Sequence, residues 1–249
     1  MKNTSAGERI LSIDIGGSHV KAVILNQEGE MQMEYKKIAT PPNPTPKKLI
    51  TTIQELLKDF PTYNNVSVGF PGYVKNGTVF TAPNLGTKAW VGFELANALE
   101  KTLGKPTQVV NDADMQGLGV VDGKGFELVV TLGTGFGTAL LMNGVLLPHL
   151  ELAHLPVTKS KTYDKYIGEK ALEKEGIEKW NERVKYVIET FKTVFNYDRL
   201  YIGGGNASKL NFKLDSNITI VSNRDGIKGG ARLWRMQETH EQVIAAKSK

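Results

Sequence analysis

Hydrophobic residues in this chain recur in two rhythms: short continuous or alternating runs, and longer stretches at helical spacing. Residues 10–15, 20–26 and 31–37 read as strands, with Gln27-Glu28-Gly29 as the turn between the last two. Residues 40–46 carry four prolines and predict an irregular, extended crossing. Leu49, Ile50, Ile53, Leu56, Leu57 and Phe60 then recur at helical spacing, with Pro61 just beyond the end. Residues 66–70 predict a short buried strand running into Pro71-Gly72, and 93–103 an amphipathic helix closed by Gly104. A strand over 107–110 stops at Asn111-Asp112-Ala113-Asp114.

The order is therefore β-β-β-α-β-α-β, and it partly restarts after residue 124. Residues 128–132, 137–142 and 145–148 supply three new strands, followed by a helical region over 163–195 broken near Gly176. A strand at 200–202 ends at Gly203-Gly204-Gly205-Asn206, a last strand spans 218–221, and 226–237 reads as a closing helix. Residues 245–249 are expected to fray. Two α/β halves around a cleft are the economical architecture. The expected division is 1–112 and 113–249, with the final helix allowed to return to the N-terminal domain.

Two strand–turn–strand units carry the candidate chemistry. In the first, Asp14, Gly16, Gly17, Ser18 and Lys21 surround the turn; in the second, Thr131-Leu-Gly-Thr-Gly-Phe-Gly137 forms it. Glycines leave room for a phosphate, and their N–H groups can point at it. A hydroxyl and an ammonium stand beside the first turn, and Asp14 could hold a magnesium ion through water. Either turn alone is also an ordinary tight hairpin. Two copies with matching hydroxyls point to a duplicated fold that grips a phosphorylated ligand from both sides.

Composition narrows the class. With 249 residues there is material for one large or two modest domains. The absence of cysteine excludes disulfides and cysteine-ligated zinc. No apolar run is long enough for a bilayer, and the polar stretch 1–9 lacks the apolar segment of a secretory signal, so cytoplasmic residence is the expectation. A net charge of +5 without a recognition motif does not call for nucleic acid. Lys159, Lys161, Lys165, Lys170 and Lys174 read as a solvated face, or as groups suited to a polyanion.

The motifs Asp14-Ile-Gly-Gly-Ser-His-Val-Lys21, Gly69-Phe-Pro-Gly72, Asn111-Asp112-Ala-Asp114, Thr131–Gly137 and Ile202-Gly-Gly-Gly205 together resemble the ROK sugar kinases of the hexokinase–actin superfamily. The likeness covers about residues 10–234, with the motifs in the family's order. Within the family, Thr87-Lys-Ala-Trp-Val-Gly92, Leu146-Leu-Pro-His-Leu-Glu-Leu-Ala-His154, Lys161-Thr-Tyr-Asp-Lys-Tyr-Ile-Gly168 and Lys179-Trp-Asn-Glu-Arg-Val184 resemble the polyphosphate glucokinase subgroup. That subgroup lacks the cysteine-rich zinc motif of many ROK kinases. The resemblance implies an α/β fold of duplicated RNase H-like (actin/hexokinase) domains flanking a cleft. It also implies a homodimer, and a kinase that phosphorylates the 6-hydroxyl of glucose from polyphosphate, ATP or both, with Mg2+.

Residue by residue, the resemblance makes Asp112 the base that takes the sugar proton and Asn111 a sugar ligand. Read alone, Asn111-Asp112 is a helix cap. Asp114 reads as a first-turn acid or a supporting carboxylate near the metal. Glu151 and His154 match the Glu-x-Gly-His element that binds the hexose, and Asn84 is a further sugar contact or plain turn chemistry after Pro83. Ala153 stands where the family has glycine, and Pro156 where relatives often carry glutamate; alanine would be strained if that position needs positive φ. Gly16, Gly17, Ser18, Lys21, Thr131, Gly133, Thr134 and Gly135 are assigned to phosphate, and Gly203, Gly204 and Gly205 to nucleotide or a phosphate chain or to a flexible turn. His19, Trp90 and Trp180 read as structural. Rival readings are a strictly ATP-dependent hexose kinase, a sugar-responsive regulator (for which only nine residues precede the first strand) and a noncatalytic sugar-binding protein.

Overall fold

The computed structural model describes residues 7–235. The start of the polar opening stretch, the expected tail 245–249 and the last two residues of the expected closing helix lie outside them. The described residues form two compact units, 7–119 with 226–235, and Val120–Asp225. Among them no helix is long and apolar enough to cross a membrane.

In the first unit, β1 (Ile10–Ile15) and β2 (His19–Leu25) form an antiparallel hairpin whose residues are almost all buried, as suits central strands. The next strand, β3 (Lys36–Ala39), begins later than the alternation over 31–37 predicts. Asn26 closes a local turn by accepting the Glu30 N–H on its side chain at 2.7 Å, and Met31 makes only an isolated bridge to Leu25. The chain then bends away and pairs again at Lys36. Helix α1 (Pro46–Leu56) starts with Pro46 in its first turn and the Thr45 hydroxyl as cap, 3.4 Å from the Lys48 N–H. It buries Leu49, Ile53 and Leu56 against the sheet. Each such side chain withdrawn from water contributes about 1.5–3 kcal/mol.

After β4 (Asn65–Phe70) comes a small antiparallel sheet that the sequence reading does not predict: β5 (Val74–Lys75), β6 (Thr78–Val79) and β7 (Phe93–Glu94). Its signal is local. Asn76 and Gly77 adopt positive φ of 49° and 73°, the two-residue turn that an Asn-Gly pair between short strands announces. Phe93 thus sits in a strand, and helix α2 (Leu95–Leu103) starts after it. Strand β8 (Thr107–Asn111) leads directly into α3 (Asp112–Val120). The expected division lies at 112/113, whereas the compact units divide after Gly119. Met115 of α3 lies against Ser12 of β1, and the Ser12 hydroxyl donates to Ile227 O at 2.9 Å. Helical backbone over 229–235 covers the same sheet, with the Ser67 hydroxyl donating to Gly230 O and the Trp234 indole donating to Ser67.

The second unit contains β9 (Phe126–Leu132), β10 (Phe136–Met142) and β11 (Val145–Leu146), then α4 (Tyr163–Ile167), α5 (Glu169–Glu175) and α6 (Ile177–Phe195), and finally β12 (Arg199–Gly203) and β13 (Ile218–Ile220). The predicted long helix is broken twice, at Gly168 as well as Gly176. Trp180, Val184, Val187, Ile188 and Phe191 of α6 form the buried stripe, and the Trp180 indole donates to Ile167 O at 2.8 Å.

The two large sheets repeat one plan. Their orders are β3-β2-β1-β4-β8 and β11-β10-β9-β12-β13. In each, an antiparallel trio is followed by two strands parallel to the first of the trio. The duplication expected from the paired glycine turns is therefore present in the topology.

Candidate active site

The carboxyl ends of β1, β4 and β8 bring three motifs of the first unit to one edge of its sheet, where open α/β sheets bind ligands. Asp14 stands opposite Lys21 on one side and Gly69 on the other. Its Oδ2 lies 3.2 Å from Lys21 Nζ, with both side chains about one-third exposed. Beyond β1 the chain turns through Gly16, Gly17 and Ser18. The Gly16 N–H donates to His19 O, while the Thr40 hydroxyl donates to Gly16 O at 2.7 Å and the Thr40 N–H to Ser18 O. Gly17 and Ser18 are exposed, and their N–H groups have no protein acceptor among the described residues. These two donors can receive an anion. Asn84 comes to the same turn, since a Cβ on Gly17 would lie 3.7 Å from Asn84 Cβ.

Asn111 and Asp112 share the strand end but divide the work. Asn111 is buried; its amide donates to Gly72 O at 3.0 Å, and its Oδ1 accepts the Ala113 N–H at 2.8 Å and the Asp114 N–H at 3.4 Å. The cap therefore rests on Asn111, with one amide hydrogen left over. Asp112 is half-buried and its Oδ1 also accepts the Ala113 N–H. Gly69 makes room for this helix start, for a Cβ there would come within 3.3 Å of Asp112 Cα. Asp114 is buried.

In the second unit the Gly133–Gly135 turn is held from behind. Asp164 Oδ1 accepts the Phe136 N–H at 3.0 Å, and the Glu169 N–H donates to Gly133 O. A side chain at Gly135 would meet Asp164 Oδ1 at 2.5 Å and push that carboxylate off the Phe136 N–H, which glycine avoids. Thr131 uses its hydroxyl to accept the Gly137 N–H at 3.1 Å. The N–H groups of Thr134 and Gly135 remain without a protein acceptor among the described residues. Gly203 pairs with Thr131, and Gly204 follows at φ 89° pressed against the Leu132 backbone, where no Cβ fits. Both predicted glycine turns of this unit thus meet at the ends of β9 and β12, with Gly205 open to solvent.

Glu151 and His154 belong to one short loop. Leu152, Ala153 and His154 form a 3-10 turn, and His154 Nε2 lies 3.9 Å from Glu151 Oε2. Ala153 does not adopt positive φ; it packs into the core of the unit, so alanine in place of glycine stores no backbone strain here. A residue that the sequence reading passes over completes the group. His149, 7% exposed in its side chain, places Nε2 3.5 Å from Glu151 Oε1. The signal was its position inside the quoted 146–154 segment, but nothing local tells which way its ring turns. Asp164 and Thr40 are the other two omissions, and both act through contacts between distant segments.

Lys161, one of the lysines read as suited to a polyanion, is occupied by an ion pair with Glu175 at 3.2 Å. Arg183 binds the same carboxylate at 2.9 Å and lies over the Tyr166 ring. The Arg183 guanidinium, with Lys161, holds the Glu175 carboxyl below the usual carboxylate range. Lys159, Lys165, Lys170 and Lys174 are exposed.

A model of the ROK family matches residues 10–153. The chain belongs to the ROK family. This ROK chain is 31% identical over 222 residues to the polyphosphate glucokinase of Mycobacterium tuberculosis strain CDC 1551 / Oshkosh, spanning 85% of the chain and 82% of that protein. The polyphosphate glucokinase of Mycobacterium leprae strain TN is 30% identical over 237 residues, which cover 89% of this chain and 69% of that one. Among solved structures, the inorganic polyphosphate/ATP-glucomannokinase of Arthrobacter sp. strain KM aligns over 93% of this ROK chain and 100% of its own, with TM-score 0.83 and 28% identity. The fold is the hexokinase/actin-like fold of the ROK sugar kinases, and the subgroup resemblance read from the motifs agrees with these relatives.

Proposed function

We propose that this ROK chain is a kinase that transfers a phosphoryl group from polyphosphate, and from ATP, to the 6-hydroxyl of glucose. The observation that carries this reading is the likeness to polyphosphate glucokinase along most of the chain, joined to two glycine turns whose N–H groups lack protein acceptors. Phosphoryl transfer needs positioning and stabilisation of charge on the moving group more than covalent chemistry. Gly17 and Ser18 in one turn, and Thr134 and Gly135 in the other, are suited to that task.

In this mechanism Asp112 accepts the proton of the sugar hydroxyl as its oxygen attacks phosphorus. The half-buried carboxylate at the end of β8 stays in place because Asn111 carries the main cap of the helix. Asn84, Asn111, Glu151 and His154 bind sugar hydroxyls; the carboxylate accepts from them, and the imidazole donates or accepts one more. Lys21 receives phosphate oxygens while it remains paired with Asp14. The donor set also suits magnesium. Asp14 keeps Oδ1 beyond its bond to Lys21, and magnesium takes one or two carboxylates with phosphate oxygens and water rather than an all-protein cage. When bound through water at Asp14, the ion supplies charge neutralisation to the transferring phosphates.

The test is a coupled assay for glucose 6-phosphate with purified protein, glucose and magnesium, comparing long-chain polyphosphate with ATP. Turnover with both donors supports the full reading, and turnover with polyphosphate alone removes ATP as a donor. Turnover with ATP alone removes the polyphosphate donor, and silence with both removes the kinase.

A further inference from the structure

One lateral row crosses the first sheet. Gly69 of β4 lies opposite Asp14 of β1, Asp14 opposite Lys21 of β2, and Lys21 opposite Lys37 of β3. Residues directly opposite on paired strands point to the same face, so Asp14, Lys21 and Lys37 stand side by side there. The flanking Lys36 goes to the other face, where its Nζ lies 5.5 Å from the centre of the Phe60 ring. Asp14 compensates Lys21 at 3.2 Å. Lys37 is exposed and has no carboxylate partner among the described residues. Two lysines in direct register on neighbouring strands repel each other, and a single aspartate beyond one of them leaves the pair with a net positive charge.

The row has a direction. Strand β3 is the edge of the sheet, so the positive charge runs outward from Asp14. His19 lies two residues before Lys21 on the same face, exposed, next to the Gly17 and Ser18 donors. Lys37 is one strand spacing of about 4.8 Å beyond Lys21. A single phosphate held at the turn and Lys21 leaves Lys37 unused, whereas an anion with repeated charges occupies the whole row. Of the other lysines suited to a polyanion, Lys161 is engaged by Glu175, while Lys159 and Lys165 are exposed.

We propose that Lys37, together with Lys21 and His19, forms a subsite for the phosphates of an inorganic polyphosphate chain beyond the transferred one, with the chain leaving over the edge strand β3. This rests on the kinase reading above and adds the path of the donor. ATP has only two phosphates beyond the transferred one and then its nucleoside, whereas polyphosphate carries its charge along the whole row and over the edge strand, so loss of Lys37 weakens polyphosphate more than ATP.

The experiment measures KM for long-chain polyphosphate and for ATP with the full chain and its Lys37→Ala, Lys37→Glu and Lys37→Arg variants. In Lys37→Ala the polyphosphate-to-ATP ratio of KM values rises roughly tenfold, the size of one charge-assisted hydrogen bond. It rises further in Lys37→Glu, stays near the parent value in Lys37→Arg, and is unmoved by Lys101→Ala on α2. The salt dependence of the polyphosphate KM also becomes shallower in Lys37→Ala, because fewer counterions are displaced. An unchanged ratio in both Lys37→Ala and Lys37→Glu, with circular dichroism showing intact folds, overturns the subsite. If the parent protein transfers phosphate from neither donor, the kinase reading fails separately. Binding of fluorescently labelled polyphosphate then decides the row: loss in Lys37→Glu upholds it, and equal binding overturns it.

Discussion

His149 Nε2 lies 3.5 Å from Glu151 Oε1, and that oxygen is shut away from water. The other carboxylate oxygen, Oε2, is 3.9 Å from the exposed ring of His154. Glu151 is therefore steadied from inside by a buried imidazole and presents its remaining capacity toward solvent and toward His154. In the proposed function this makes His149 a positioning residue for the sugar-binding carboxylate.

The consequence is a selective effect on sugar affinity. His149→Ala is expected to raise the glucose KM roughly threefold to tenfold, the scale of losing a polar neighbour of a part-buried carboxylate, while kcat stays within about twofold. His149→Gln keeps a polar group beside the carboxylate and should recover most of the loss. Steady-state kinetics on the three proteins checks this; an equal fall in kcat for both variants would sink the positioning role.

Asp112→Asn keeps the size of the side chain and its contact to the Ala113 N–H while removing the proposed base. We expect kcat to drop about 10²- to 10⁴-fold, the range for loss of a general base. Glucose binding by calorimetry should change little, and the melting temperature should stay within a few degrees. Turnover near the parent value would take the base role away from Asp112.

Ala153→Gly separates strain from packing. Because Ala153 has ordinary φ and packs in the core, glycine relieves nothing and adds freedom to the unfolded chain. The expected result is an unchanged glucose KM and a loss of about 1 kcal/mol in stability, read by urea denaturation. A clear gain in sugar affinity would contradict the geometry of this loop.

The Glu175 cluster predicts how acid loosens the second unit. Arg183 chiefly, and Lys161 with it, hold the Glu175 carboxyl below its ordinary value. For a depressed carboxyl the stabilisation is fully present above the unfolded-state value and is lost as pH falls through the folded-state value. Glu175→Gln should therefore lower the melting temperature at neutral pH and have progressively less effect as the solution is made more acidic. A pH-independent difference between the two proteins would remove the ionic component.

What the sequence determined by itself is local. Strand and helix positions followed from periodicity, and the strands missed around Asn76-Gly77 had a turn signal of their own. The paired glycine turns announced the duplication that the two sheets display. Asp14, Gly16, Gly17, Ser18 and Asp112 were legible because their motifs are contiguous, and the ends of parallel strands bring them to one edge. Only the tertiary structure decided the rest. It put Asn84 beside Gly17, Asp164 behind Gly135, and Lys37 in line with Lys21 and Asp14. Neither the facing partner across a strand nor the rotation of a buried ring such as His149 is encoded within a few residues. Register and packing fix both, and these are settled only when distant segments exclude water together.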